Sequence, residues 1–214
     1  MKFRLAIAGL FAGAASLASA SAATIEGAAV GISNPDQIIT FSEVAGLTTG
    51  DSVTDEYAAL GVTFDPNGFY FSSVSARPNV SGPVLTNFVG GNDPAYVNPL
   101  SIKFSNDVSA ASFTLTSAIR NGTFEALLDG VVVSTFMTVL NPGNNVAADV
   151  NNIYGFFDIL FDEIRVTIGA AGSNNAVVID NLAYATAVPL PAALPLFLAG
   201  IAGIGFAGRG RRKA

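Results

Sequence analysis

Through most of the chain apolar and polar residues alternate in short runs, and only the two ends break that rhythm. Ser112-Phe113-Thr114-Leu115-Thr116 alternates with a period of two, placing Phe113 and Leu115 on one face of a strand and three hydroxyls on the other. Asn121-Gly122 and Asp129-Gly130 read as tight turns, and the runs after them, Thr123 to Leu128 and Val131 to Phe136, are rich in β-formers. A three-stranded antiparallel meander is therefore expected over 112–136. Further strands are expected at Ile38 to Phe41, Gly61 to Phe64, Phe69 to Val74, Leu100 to Phe104, Phe156 to Phe161, Glu163 to Ile168 and Ala176 to Ala183. Loops rich in Gly, Asn, Pro and Ser separate them, at Asn79 to Pro83, Gly90 to Pro94, Asn141 to Asn145 and Gly169 to Asn175. No long stretch between the ends has a helical period. This spacing of short strands predicts an all-β fold, an antiparallel two-sheet β-sandwich of jelly-roll type.

The ends are continuous rather than alternating. Met1-Lys2-Phe3-Arg4 is positive, the chain then runs apolar through Ile7, Leu10, Phe11 and Leu17, and it closes on small residues, which is the layout of a secretory signal peptide. Ala18-Ser19-Ala20 and Ala20-Ser21-Ala22 both offer cleavage sites, and the second is favoured, with Ala23 as the mature start. At the other end Val188-Pro189-Leu190-Pro191-Ala192 leads into an apolar stretch from Ala193 to Gly208 and then a basic stub, Arg209, Arg211, Arg212 and Lys213. At the rise of a helix residues 193–208 span about 24 Å, short of a hydrocarbon core of about 30 Å, and the proline-rich approach brings the segment near spanning length. By the positive-inside rule the stub stays cytoplasmic and the body is exported. The expected division is a signal peptide over 1–22, a β-sandwich domain over 23–187 and a transmembrane sorting tail over 188–214.

This tail resembles the PEP-CTERM sorting signal of exported proteins in Gram-negative bacteria, in its VPLPA-type form at Val188, Pro189, Leu190, Pro191 and Ala192. Leu190 stands where the commoner signature of that family has glutamate. The resemblance implies a partner, an exosortase-type membrane enzyme that recognises and cleaves the tail, and a destination at the cell envelope, the outer surface or the extracellular matrix. The alternative for the same residues is a tail anchor that is never cut.

Composition narrows the chemistry. The 214-residue chain has no cysteine, no histidine and no tryptophan, so there is no imidazole base, no thiol nucleophile and no disulfide framework. Without its two ends the domain keeps Arg77, Lys103, Arg120 and Arg165 against all 16 acidic residues, a net charge of −12. Such a body repels phosphates, so no nucleic-acid partner is expected, and an acidic surface suits extracellular solubility and divalent cations.

A second resemblance concerns the body. Ile39-Thr40-Phe41-Ser42-Glu43, Asp55-Glu56-Tyr57 to Gly61-Val62-Thr63-Phe64, and Val178-Ile179-Asp180-Asn181-Leu182 are similar to the first and last strands of jelly-roll modules like carbohydrate-binding modules. That resemblance implies adjacent terminal strands and a structural calcium near them, with Glu43 and Asp180 as ligands and Asp51 or Asp55 joining from the loop between. The alternative is that Asp180 caps a turn or pairs with Arg165 while Glu43 is solvated. For a sugar, Tyr70 in Phe69-Tyr70-Phe71 and Tyr96 in a Gly/Asn/Asp/Pro loop are the candidate stacking rings, with Tyr70 facing either out or into the core. Arg77 and Arg120 could hydrogen-bond an acidic polysaccharide. Catalysis by paired carboxylates has Glu43, Glu56, Glu125 and Glu163 to draw on, and none forms a convincing pair in the sequence. The expected function is thus not an enzyme's. It is that of an exported β-sandwich associating with exopolysaccharide or biofilm matrix, with a purely structural or adhesive matrix protein without a sugar site as the first alternative and a carboxylate-type glycan-active hydrolase as the second.

Overall fold

The computed structural model describes residues 23–187, apart from 67, 76, 90–95 and 171–174. The expected signal peptide and sorting tail, Val188 to Ala192 and the basic stub included, lie outside the described residues. Among the described residues no helix is long and apolar enough to cross a membrane.

Alternating and β-branched sequence produces eleven strands among the described residues, joined by turns and one short 3-10 turn, Ala58–Leu60. They are β1 (Ala23–Ala28), β2 (Gln37–Ile39), β3 (Ser52–Val53), β4 (Val62–Phe64), β5 (Gly68–Phe71), β6 (Val84–Thr86), β7 (Leu100–Ser117), β8 (Arg120–Leu128), β9 (Val131–Leu140), β10 (Ile153–Ile168) and β11 (Val177–Thr186). Every pairing between them is antiparallel.

Two strands are far longer than the sequence suggested. β7 has 18 residues and β10 has 16, so Phe156 to Phe161 and Glu163 to Ile168 are one strand rather than two. β7 and β10 pair with each other from Thr114–Ile153 to Leu100–Val166, and the register slips between Phe157 and Glu163, where Asp158 takes a left-handed φ of 57°. Such irregularities bend a strand and raise its local twist. On the two sides of the bend the outer neighbours differ. β1 and β11 flank the half containing Ile153 to Phe157 and Val108 to Ser117, whereas β8 and β4 flank the half containing Glu163 to Ile168 and Ile102 to Phe104. β2 and β6 continue from β11, β5 and β3 extend beyond β6, and β9 closes the other layer beside β8. The two layers therefore share hydrogen-bonded strands at the bend.

The expected meander is half present. Asp129 and Gly130, at φ 52° and 77°, make the two-residue turn between β8 and β9. Asn121-Gly122 makes no turn; it lies inside β8, opposite Val139 and Thr138. β7 and β8 are not paired, because Ala118-Ile119 carry the chain from one layer to the other and both edges of β8 are taken by β9 and β10. Gly122 is needed for space: a Cβ there would lie 2.9 Å from the Phe124 ring and 3.2 Å from Leu140.

The layers meet through aromatic rings. Phe124 of β8 is stacked between Phe136 of β9 and Tyr154 of β10, with centroids at 4.7 and 5.0 Å, and Phe113 of β7 lies 6.2 Å away. Tyr184 of β11 meets Phe104 at 5.3 Å, and Phe104 meets Phe161 at 5.9 Å. A further cluster, Phe41, Tyr57 and Phe64, is buried under the β2–β4 segment, where the Tyr57 hydroxyl donates to the Phe41 carbonyl at 2.9 Å. The first and last strands expected to lie together do so, Ile39 opposite Leu182.

Asp180 is fully buried in β11. Its Oδ2 accepts the Ser81 N–H at 2.9 Å and its Oδ1 the Asn181 N–H at 2.7 Å, so it holds a loop and is not paired with Arg165, whose partners are Glu125 and Glu163. The same loop is gripped through Asn152, which donates to Pro78 O and accepts from Asn79, and through Asn181, which donates to Asn79 O. Burial pushes the Asp180 carboxyl up to about 6, with the charge of Glu43 acting in the same direction and the two N–H donors against it.

Two tests follow from this packing. Gly155 of β10 sits opposite Ser112 so closely that a Cβ would strike the Ala111 carbonyl and come within 2.7 Å of the Ser112 Cα. Gly155→Ala should destabilise the domain by about 1–3 kcal/mol in urea unfolding, as overpacking does; unchanged stability would mean the two strands can part cheaply. For Asp180, the folded protein keeps a proton that the unfolded chain releases between about pH 4 and pH 6, so its contribution to stability declines as pH rises through that window, by about 2–3 kcal/mol in all. Asp180→Asn should flatten the stability profile there, measured as chemical denaturation midpoints across pH, and an unaltered slope would assign the titration to another group.

Candidate functional site

At one end of the sandwich, where β7 stops and β8 begins, several loops converge on a groove. Its volume is about 360 Å³, and Arg77, Phe88, Thr116, Ser117, Asn141 and Asn144 supply its characteristic groups. Among the described residues no Asp or Glu lines it, in a domain with 16 of them.

Each wall is fixed by its own hydrogen bonds. Asn141 and Asn144 occupy left-handed turn positions at φ 47° and 52°, a conformation asparagine tolerates. Asn141 donates to the Ser117 carbonyl at 3.3 Å and accepts the Asn145 N–H at 2.9 Å, tying the turn after β9 to the end of β7. The Ser117 hydroxyl donates to the Ala176 carbonyl at 3.0 Å, which brings in the approach to β11. On the opposite side Asn87 is buried; its amide donates to the carbonyls of Val97 and Asn175, and its oxygen accepts the Val177 N–H. Phe88 is thereby held at the groove by its neighbour.

Phe88 also belongs to a row of half-buried rings. Its centroid lies 5.4 Å from that of Phe71 and 5.9 Å from that of Tyr96, and Phe88 and Tyr96 form a β-bridge. Tyr96 is thus beside the groove. Tyr70 is not: it is only 7% exposed, on the core face of β5, while Phe69 and Phe71 take the other face. The expectation of Tyr70 as a stacking ring is corrected by the burial pattern, which assigns the middle residue of Phe69-Tyr70-Phe71 to the core.

The cations divide into two groups. Lys103 is bonded to Asp65 at 2.6 Å, and Arg165 lies 3.1 Å from Glu163 and 3.7 Å from Glu125. Arg77 and Arg120 have no carboxylate partner among the described residues. Arg77 Nη1 donates to Thr116 Oγ1 at 2.7 Å in the groove wall, and Arg120 donates to Asn175 Oδ1 at 2.7 Å and to the Ile119 carbonyl, next to the groove residues Ala118 and Ala176.

The four expected calcium ligands occupy separate settings. Asp180 has both oxygens engaged by backbone N–H groups, and Glu43 accepts the N–H and hydroxyl of Thr40 at 2.8 Å each. Asp51 accepts the N–H and hydroxyl of Thr48, and Asp55 is exposed. Among the described residues no three Asp or Glu side chains gather as a metal ion requires. The oxygens of Glu43, Asp51 and Asp180 serve local hydrogen bonds. The catalytic carboxylate candidates are similarly occupied: Glu125 and Glu163 both face Arg165, and Glu56 accepts the Thr54 N–H at 2.6 Å.

Tyr96 and Arg77 stood out in the sequence, whereas Phe88, Asn141 and Asn144 did not. Asn141-Pro142-Gly143-Asn144-Asn145 signals a loop by composition, and nothing in it announces which end of the sandwich it reaches.

No protein-family model matches the chain, and no curated protein matches its sequence. Among solved structures it is similar to CBM32-3 from a family 31 glycoside hydrolase of Clostridium perfringens, at 15% identity and a TM-score of 0.33 over 70% of this chain and 95% of that one. It is also similar to part of CpGH89 from the same organism, a structure in complex with its substrate GlcNAc-alpha-1,4-galactose, at 12% identity and a TM-score of 0.33, covering 61% of this chain and 15% of that one. A third likeness is to a cleaved adhesin domain of Lys-gingipain from Porphyromonas gingivalis, at 7% identity and a TM-score of 0.33 over 79% of this chain and 100% of that one.

Proposed function

We propose that this chain is a non-catalytic glycan-binding β-sandwich, exported by its N-terminal signal and delivered by a sorting tail to the cell surface or matrix of a Gram-negative bacterium, where it associates with exopolysaccharide. The observation that carries the reading is the groove: a half-exposed Phe88 flanked by Phe71 and Tyr96, facing a wall of hydroxyl, amide and guanidinium groups. Sugars present an apolar C–H face and a rim of hydroxyls, and a flat ring opposite fixed polar groups matches both. An exosortase-type enzyme acting at Val188 to Ala192 is part of the same proposal, and structural calcium at Glu43 and Asp180 is not needed for it.

A second reading, an adhesive matrix protein without a sugar site, is favoured by β9. Among the described residues this strand ends its layer with one edge unpaired, and it carries no charged residue and exposes Val131 at 65% and Met137 at 72%. An unguarded apolar edge of this kind can pair with the same strand of a second copy.

Affinity electrophoresis of the domain against exopolysaccharide from a PEP-CTERM-bearing Gram-negative host separates the two. Phe88→Ala should reduce retardation at least tenfold in apparent affinity while leaving the fold intact by circular dichroism. Absence of retardation by the exopolysaccharide, with self-association in solution that disappears on Val132→Lys in β9, would support the adhesive reading instead. For export, intact-mass analysis of the protein from the envelope and medium of its host should show loss of residues 1–22 and of the stretch beyond Val188 to Ala192. A mature protein that keeps Arg209 to Ala214 in the presence of the sorting enzyme would be a retained tail anchor.

A further inference from the structure

Resting on the reading of this groove as a glycan site, we infer that its ligand is an acidic polysaccharide, a polymer bearing carboxylates, held by Arg77 and Arg120. The domain carries a net charge of −12 over 23–187, and its four cations are unevenly spent. Lys103 and Arg165 are neutralised by carboxylates elsewhere, while the two arginines without a carboxylate both stand at this end of the sandwich. A lone guanidinium on so acidic a protein is easily paired, and here the nearest wall groups are neutral: Thr116, Ser117, Asn141 and Asn144.

The guanidinium groups are also oriented. Thr116 Oγ1 takes one N–H of Arg77, and its other N–H groups have no partner among the described residues. Arg120 is held through Nε by Asn175 and through Nη1 by the Ile119 carbonyl, and its Nη2 has no partner among the described residues. A planar guanidinium pinned at one nitrogen presents the rest to a carboxylate with little further loss of side-chain freedom. The loop that carries Arg77 is clamped to the sheet at Asn79 and Ser81 by Asn152, Asn181 and buried Asp180, so the cation is placed by the core rather than by the surface. Phe88 lies in the same groove and offers its ring to the apolar face of a sugar whose carboxylate meets Arg77. A neutral glycan would leave two oriented cations unused, and a polyanion without a saccharide face would leave the ring unused.

The test compares polygalacturonate with the same polymer after chemical reduction of its carboxyl groups, so that chain geometry is kept and charge is removed. The domain should bind polygalacturonate at least tenfold more tightly than the reduced polymer in isothermal titration or affinity electrophoresis. Arg77→Gln should remove most of that preference, Arg77→Lys should restore only part of it, and Lys103→Gln, away from the groove, should leave it unchanged. Equal binding of both polymers that is still lost in Phe88→Ala would overturn this inference while leaving the groove a glycan site. Binding of neither polymer, with Phe88→Ala also silent against native exopolysaccharide, would overturn the glycan reading itself and this inference with it. Thermal melting of each variant separates loss of contact from loss of fold, and Arg120→Gln serves as the second variant should Arg77→Gln fail to fold.

Discussion

The antiparallel pairing of β7 with β10 is the constraint on which the rest of the structure depends. It runs from Thr114–Ile153 to Leu100–Val166, passes through the bend, and gives each layer two of its strands. Because the same pair serves both layers, its register fixes how they face each other: Phe113 and Tyr154 on one side of the bend must meet Phe124 of β8, which pairs with β10 on the other. At Gly155 and Ser112 the two strands approach so closely that a Cβ would meet the β7 backbone. There the backbone of β7 occupies the space a side chain would take.

The groove inherits its position from this arrangement. β7 ends at Ser117 and the chain steps across to Arg120 in the other layer, so the two ends flank a gap that β-pairing does not fill. Turns after β9 and before β11 close around it because their carbonyls and amides find partners on Ser117 and Asn87. Polar residues are thereby buried for a structural reason: Asn87, Asn141, Asn152 and Asp180 satisfy backbone groups that strands leave over at their ends. Among the described residues no acidic side chain lines the groove, Arg77 lines it, and Arg120 stands beside its residue Ala118, and that separation of charge gives this end of the molecule its chemical character.

Buried Asp180 shows how a structural group can resemble a ligand. In the sequence it is a carboxylate in a closing strand, which the resemblance to jelly-roll modules groups with Glu43 as an oxygen donor. In the fold its two oxygens accept the N–H groups of Ser81 and Asn181, and burial raises its proton affinity. Tyr70 makes the same point for aromatic rings, since a tyrosine between two phenylalanines has no periodic signal that says which face is inside.

What the sequence determined by itself was the all-β class and the antiparallel habit, the locations of most strands, the Asp129-Gly130 hairpin and the acidity of the body, because each follows from local periodicity, turn chemistry or composition. The adjacency of Ile39 and Leu182 was also legible, through resemblance rather than through local rules. Only the tertiary structure decided that Asn121-Gly122 continues a strand, that β10 is unbroken across Asp158, and that the hydroxyl face of Ser112, Thr114 and Thr116 is buried as well as the apolar one. Loops from residues 30–33 and 77–81 cover that face, as the Ser112 and Thr116 hydrogen bonds show. The groove likewise joins Arg77, Phe88, Ser117, Asn141 and Ala176, residues distant in the chain, and no local pattern encodes a meeting that depends on where five separate turns are carried by the bend of two long strands.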